Sequence, residues 1–169
     1  MLRVGTVGTS SIMRTIQEAI RLTDGMECRV VYSRTGEQGR AFAAEMGVPE
    51  HCTDYAAMLE RSDLDLIDIA SPNRFHAEQA LAALEHGKHV IVEKPAAVTR
   101  GDVQRLIDAA RANGVYFFEA ITTLFMPQYE ACRLLLPKLG RIEQAHITYA
   151  QYSSRYDAYL RGENPNIFN

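Results

Sequence analysis

The sequence predicts an α/β domain built on a doubly wound parallel sheet, followed by an incomplete α+β second domain. Two observations carry this expectation. Strand-like apolar runs alternate with helical patterns from the first residues onward. The runs are also continuously apolar rather than alternating, as strands buried on both faces are. Residues 2–7 form the first buried strand. Ile12, Ile16, Ala19 and Ile20 then mark one face of a helix near 11–22. Residues 28–33 are a second strand, and 37–46 a helix ending at Gly47 with Pro49 just beyond. A minimal strand follows at 50–53, and Asp54 is placed to cap a short helix beginning at Tyr55. Residues 65–70 are the next strand. Ala77, Ala80, Leu81 and Leu84 keep helical spacing up to Gly87. Residues 88–92, a helix through Val103, Leu106, Ile107 and Ala110, and a strand at 115–118 complete the alternation. Right-handed crossovers then give one domain over residues 1–120.

After Ala120 the pattern changes. Cys132, Leu135, Leu136 and Leu139 suggest a helix that Pro137 kinks or ends. Residues 142–152 are the longest strand candidate, followed by a polar stretch over 153–169. One helix and one strand cannot bury a core of their own, so 121–169 reads as the start of a truncated second domain. The strand has no expected neighbour, and Tyr149, Tyr152, Tyr156 and Tyr159 crowd the same region. An open edge of this kind predicts self-association, or disorder beyond about residue 140.

Composition removes several classes of function. The chain has 169 residues, 47% hydrophobic and 23% charged, with a net charge of -3. No basic block supports nucleic-acid or anionic-lipid binding, and no apolar run is long enough to span a bilayer. The N-terminus runs straight into a strand pattern without a signal-peptide core. Three cysteines, Cys28, Cys52 and Cys132, show no CxxC, which suits reduced thiols and a cytoplasmic protein. His51, His86, His89 and His146 have no metal-site spacing, and no metal is expected.

In a doubly wound sheet, ligands bind beyond the carboxyl ends of the strands. The first such end carries Gly8, Thr9, Ser10, Ser11 and Ile12. Against a GxGxxG turn, Gly8 fits the first glycine, whereas Ser10 and Met13 occupy the second and third positions. An ordinary tight turn explains this stretch about as well. Its position favours a dinucleotide, because it opens a helix whose first amides can meet a diphosphate. Ser33 and Arg34 follow the second strand, where an NAD site usually has an acid. A hydroxyl and a guanidinium suit a 2′-phosphate, although a solvated loop arginine is an equal reading.

The fourth strand ends in Ser71-Pro72-Asn73-Arg74-Phe75-His76, the fifth in Glu93-Lys94-Pro95, and the sixth runs into Glu119-Ala120. A Gly-bearing first turn, SPNxxH, GKHVIVEKP and FFEA, in this order, resemble the glucose–fructose oxidoreductase, inositol dehydrogenase and rhizopine-catabolism family (Gfo/Idh/MocA). The segment from Glu119 to Pro127 is most similar to its dihydrodiol-dehydrogenase-like branch. The resemblance covers nearly all of residues 1–120. It implies a Rossmann NAD(P)-binding domain of an oxidoreductase, taking NADP with NAD as the alternative. It also implies a sugar, polyol or diol substrate and a homo-oligomer.

The family's roles carry over only where residues match. Lys94 takes the place of the lysine that approaches nicotinamide and exchanges a proton with the substrate hydroxyl, a role suited to a partly buried amine. Glu93 would orient Lys94 or the ribose. Ser71, Pro72, Asn73 and His76 match the loop that lines the dinucleotide. For His76 a cofactor contact is favoured over a residue that merely caps or packs its helix, and over a catalytic role. Glu119 and Ala120 match the segment at the nicotinamide end. Relatives complete proton transfer with an Asp and a His or Tyr from a second domain, and no such motif precedes Asn169. Two further readings stand beside this one. A non-catalytic dinucleotide-binding or interaction module would carry the same motifs. A methyltransferase using S-adenosylmethionine is disfavoured, since no acid follows the second strand at the ribose position.

Overall fold

The computed structural model describes residues 1–150, 152 and 156–162. The chain divides into two compact units, Met1–Ala120 and Ile121–Asn169. The first unit is a six-stranded parallel sheet in the order β3-β2-β1-β4-β5-β6. Its strands are β1 (Leu2–Val7), β2 (Met26–Tyr32), β3 (Glu50–Cys52), β4 (Leu66–Ile69), β5 (His89–Val92) and β6 (Phe117–Glu119). Between them run α1 (Ser11–Leu22), α2 (Gly36–Met46), α3 (Tyr55–Leu59), α4 (His76–Glu85) and α5 (Arg100–Ala112). The doubly wound expectation therefore holds.

Both sheet faces are buried, as the continuous apolar strands require. On one face Val7, Ile67, Ile69, Val90 and Val92 meet Ala80, Ala83 and Leu84 of α4 and Leu106 of α5. On the other, Val31 packs with Met13 of α1 and Phe42 of α2, and Val4 and Leu66 pack with Ile20. A β-carbon at Gly5 would force the flexible end of the Met58 side chain to move and would press on Leu64 and Ile67. Asp54 caps α3 by accepting the Ala57 amide at 3.0 Å, and Gly47 closes α2 at φ 70°.

Element boundaries move by a residue or two. β2 begins at Met26 rather than Cys28, because Leu2 and Arg3 pair with Met26 and Glu27 ahead of an irregularity at Val4/Gly5. β6 starts at Phe117 rather than Val115, because the Val115 amide is spent on the Ala110 carbonyl at the end of α5.

In the second unit, α6 (Pro127–Leu135) is followed by a tight 3₁₀ turn over Leu136–Leu139, where Pro137 ends the regular helix. A short α7 spans Tyr156–Leu160. The strand expected at 142–152 is not formed over residues 142–150 or at 152, and Gln151 lies outside the described residues. A strand is held by ladder bonds to a neighbour, and among the described residues none lies beside this segment. Ile147 and Tyr149 are accordingly exposed. Most of the polar stretch 153–169 lies outside the described residues. No described helix is long and apolar enough to cross a membrane.

Candidate functional site

Strand order reverses between β1 and β4, so the crevice at their carboxyl ends is where a parallel sheet opens for a ligand. Gly8 sits at its lip with φ 116°, and a β-carbon there would meet the Ala70 carbonyl oxygen at 2.8 Å. Any other residue would strain the turn and press into the end of β4. Thr9 is half-buried, and Ser10, Ser11 and Ile12 are exposed. Ser10 is the residue before α1, and its hydroxyl makes no capping bond. The first-turn amides of α1 are therefore left to a ligand, at the positive end of a 12-residue helix.

Past β2, Ser33 is buried and its amide donates to the Cys52 carbonyl at 3.0 Å. Arg34 is exposed and makes no ion pair among the described residues. Arg14, in the first turns of α1, is committed by contrast: its guanidinium grips both Glu45 oxygens at 2.7 and 2.9 Å.

The segments after β4, β5 and β6 are joined by side-chain bonds to backbone. Ser71, Pro72 and Asn73 are half-buried, and the Ser71 hydroxyl donates to Gln79 Oε1 at 2.6 Å. His76 is buried, with Nδ1 2.8 Å from the Pro95 carbonyl and Nε2 2.8 Å from the Ser71 carbonyl. Its ring thus spans the SPN and EKP segments, with both nitrogens engaged by backbone. The Glu93 amide donates to the Ile69 carbonyl at 2.8 Å, tying the end of β5 to β4. The Lys94–Pro95 peptide is cis. Lys94 itself is exposed, so the partial burial expected for its amine is not supplied by the described chain. Glu119 accepts the Ala96 amide at 2.8 Å, and the Ala120 amide donates to the Val92 carbonyl at 2.8 Å. The β1, β2, β4, β5 and β6 ends thus place all the expected residues along one edge of the sheet, the carboxyl edge.

One buried acid is missing from the sequence reading. Asp68 lies in mid-β4, paired in register with Thr6, and is 6% exposed. Its Oδ1 has no hydrogen-bond partner. Burial, and secondarily the charge of Glu93, pushes its carboxyl up to about 7. On neighbouring β1 the Thr6 hydroxyl accepts from Gln17 Nε2 at 2.9 Å, and the same nitrogen lies 3.2 Å from Cys28 Sγ. Burial also pushes the Cys28 thiol up. The signal for Asp68 was its place as the one charged residue inside LIDIA, an otherwise apolar run.

A cavity of about 200 Å³ is lined by Ala77 and Leu81 of α4, Val98, and Leu106 of α5. Of the expected site residues, its lining includes only Asn73.

These residues fit a dinucleotide. An uncapped helix N-terminus suits a diphosphate, the obligatory glycine keeps the lip narrow, and past β2 the Arg34 guanidinium makes no ion pair among the described residues. Comparison with known proteins agrees. Residues 2–121 match the Gfo/Idh/MocA family, described as an oxidoreductase family with an NAD-binding Rossmann fold. The chain is 41% identical over its whole length to an uncharacterized oxidoreductase, YgjR, of Escherichia coli, covering 52% of that protein. It is 37% identical over 99% of its length to scyllo-inositol 2-dehydrogenase (NADP(+)) IolU of Bacillus subtilis, covering 51% of it. Among solved structures, the 3-ketoreductase KijD10 of Actinomadura kijaniata, in complex with NADP and TDP-benzene, superposes with a TM-score of 0.76 at 31% identity. That match covers 81% of this chain and 42% of the reductase. The chain spans about half the length of these relatives. With its parallel sheet, its open first helix and the motifs along the carboxyl edge, the chain belongs to the Gfo/Idh/MocA oxidoreductase family and carries its NAD-binding Rossmann domain.

Proposed function

We propose that the chain binds NADP(H) across the β1/β4 crevice, and that the protein carrying it oxidises or reduces a hydroxyl-bearing carbon of a sugar, polyol or diol. The observation that carries this reading is the placing of Lys94 on the same sheet edge as the uncapped N-terminus of α1. Bound nicotinamide supplies the hydride acceptor or donor. The chain's own residues bind and move the proton. The α1 amides, with Thr9, Ser10, Ser11 and Ile12, take the diphosphate. Ser33 and Arg34 take the ribose 2′-phosphate, while Ser71, Pro72 and Asn73 line the adjoining wall. Lys94 Nζ exchanges a proton with the substrate hydroxyl. The names of the inositol dehydrogenase and the NADP-bound ketoreductase support both the cofactor and the substrate class.

Fluorescence titration of the chain with NADPH and NADH tests the cofactor. NADPH is expected to bind more tightly, and Arg34→Ala should erase most of that preference. A charge-assisted bond to phosphate contributes roughly 1.5–3 kcal/mol, or about 10- to 150-fold in affinity. Equal affinities in the intact chain, or a preference untouched by the substitution, would show Arg34 to be a solvated loop residue.

A further inference from the structure

His76 and Glu119 act on one peptide unit. His76 Nδ1 lies 2.8 Å from the Pro95 carbonyl oxygen, and Glu119 Oε1 accepts the Ala96 N–H at 2.8 Å. That carbonyl and that N–H are the two ends of the Pro95–Ala96 peptide, immediately beyond Lys94. A peptide is a rigid plane whose C=O and N–H point to opposite sides. One bond at each side therefore fixes both its position and its tilt.

The partners are themselves anchored. His76 is 1% exposed and Ala96 2%, so water does not compete for the histidine end of the clamp. His76 Nε2 also reaches the Ser71 carbonyl at 2.8 Å. Both acceptors are carbonyls, and the clamp uses the ring tautomer with its N–H on Nδ1, which donates to Pro95. Glu119 ends β6, whose register with β5 pairs it with Val92. On the other side of Lys94, its own amide donates to Glu93 Oε2 at 3.3 Å, and the Glu93 amide is bonded to Ile69. The backbone on both sides of Lys94 is held, whereas its side chain is exposed. For a long amine reaching into solvent, a fixed root is what limits the volume its Nζ samples.

We infer that His76 and Glu119 are positioning residues: they clamp the Pro95–Ala96 peptide and so set the origin from which Lys94 reaches the dinucleotide. The inference rests on the dinucleotide reading above. It gives both residues a task other than touching the cofactor.

The chain has three lysines, Lys88, Lys94 and Lys138, so reductive methylation with ¹³C-formaldehyde gives an NMR spectrum that can be assigned with Lys94→Arg. Lys88 is buried, with Nζ on the Arg61 and Leu64 carbonyls at 2.6 and 3.0 Å, so the fold shields it from the reagent and the appearance of a Lys88 signal reports unfolding. Saturating NADP⁺ should shift the Lys94 signal of the parent chain. In Glu119→Ala at least half of that shift should be lost at saturation. Glu119→Gln keeps an acceptor for the Ala96 amide and should restore it. His76→Gln should lose the shift as Glu119→Ala does. Should that core variant unfold, as the Lys88 signal would show, the exposed Glu119 pair decides. An undiminished shift in Glu119→Ala, or a Gln variant no better than Ala, overturns the clamp while leaving the dinucleotide reading in place. No shift in the parent chain overturns that reading at Lys94, and the clamp's purpose with it.

Discussion

Lys94→Ala should lower the hydride-transfer rate of the protein carrying this chain by about 10²–10⁴, the usual contribution of a positioned acid–base group. Affinity for the dinucleotide should change only a few-fold, because the diphosphate and the ribose phosphate are assigned, in the reading proposed above, to the first and second strand ends, away from Lys94. Single-turnover measurement with NADP⁺ and a polyol such as an inositol separates the two quantities. The loss should appear in the chemical step and grow smaller when a soluble primary amine is added in place of the missing side chain. A variant that kept near-parental turnover would move the proton-transfer role to another residue. The prediction depends on the backbone of Lys94 rather than its burial. The side chain is exposed, while Glu93 before it and the Pro95–Ala96 peptide after it are bonded into the sheet edge.

The core of the Rossmann unit was legible because its signals are local. Continuous apolar strands, helical spacing and Gly47 or Gly87 at helix ends each act within a few residues, and consistent local signals specify a fold. Residues 142–150 form no strand, against expectation, for the converse reason. Their β-propensity is real, yet a strand forms only against a partner, and propensity in isolation carries little weight. The edges of β2 and β6 shifted because pairing register and a helix-terminal amide, both non-local, decided them.

The site was legible as a set of motifs and less so as a set of contacts. Gly8 reads as a turn glycine, but the reason it must be glycine is the Ala70 carbonyl, 62 residues away in sequence and 2.8 Å from its missing β-carbon. His76 and Glu119 were marked by their motifs as dinucleotide contacts. The structure shows in addition what their polar atoms face: the Pro95 and Ser71 carbonyls, each 2.8 Å from a His76 ring nitrogen, and the Ala96 amide, which donates to Glu119. Such bonds to backbone leave no trace in residue spacing. Arg14 and Arg34 look alike in sequence, and only the fold shows that Glu45 occupies one of them.

Asp68→Asn should make the chain more stable above pH 7, by roughly 3–4 kcal/mol, and should flatten its stability between pH 4 and 7. In the folded chain burial and Glu93 push the Asp68 carboxyl up to about 7, whereas an unfolded aspartate titrates near 3.8. Between those values the folded state keeps a proton that the unfolded state has released. Stability therefore falls as pH rises through this window, is fully present below about 4, and levels off above about 7. The full shift corresponds to about 4 kcal/mol at about 1.4 kcal/mol per unit. The Oδ1 atom without a partner gives the ionised form nothing to offset its burial. Asparagine keeps the shape without the charge. The salt-bridged carboxylates act in the opposite sense and at lower pH: Arg3 holds Asp65 well below the usual range, so its contribution is lost as pH falls below about 4. Urea melts of parent and variant at pH 5, 6, 7 and 8 separate the two. The parent should lose stability across this series relative to Asp68→Asn. Parallel pH profiles would mean that Asp68 keeps the same protonation state folded and unfolded, and that its Oδ1 has found a partner in solution.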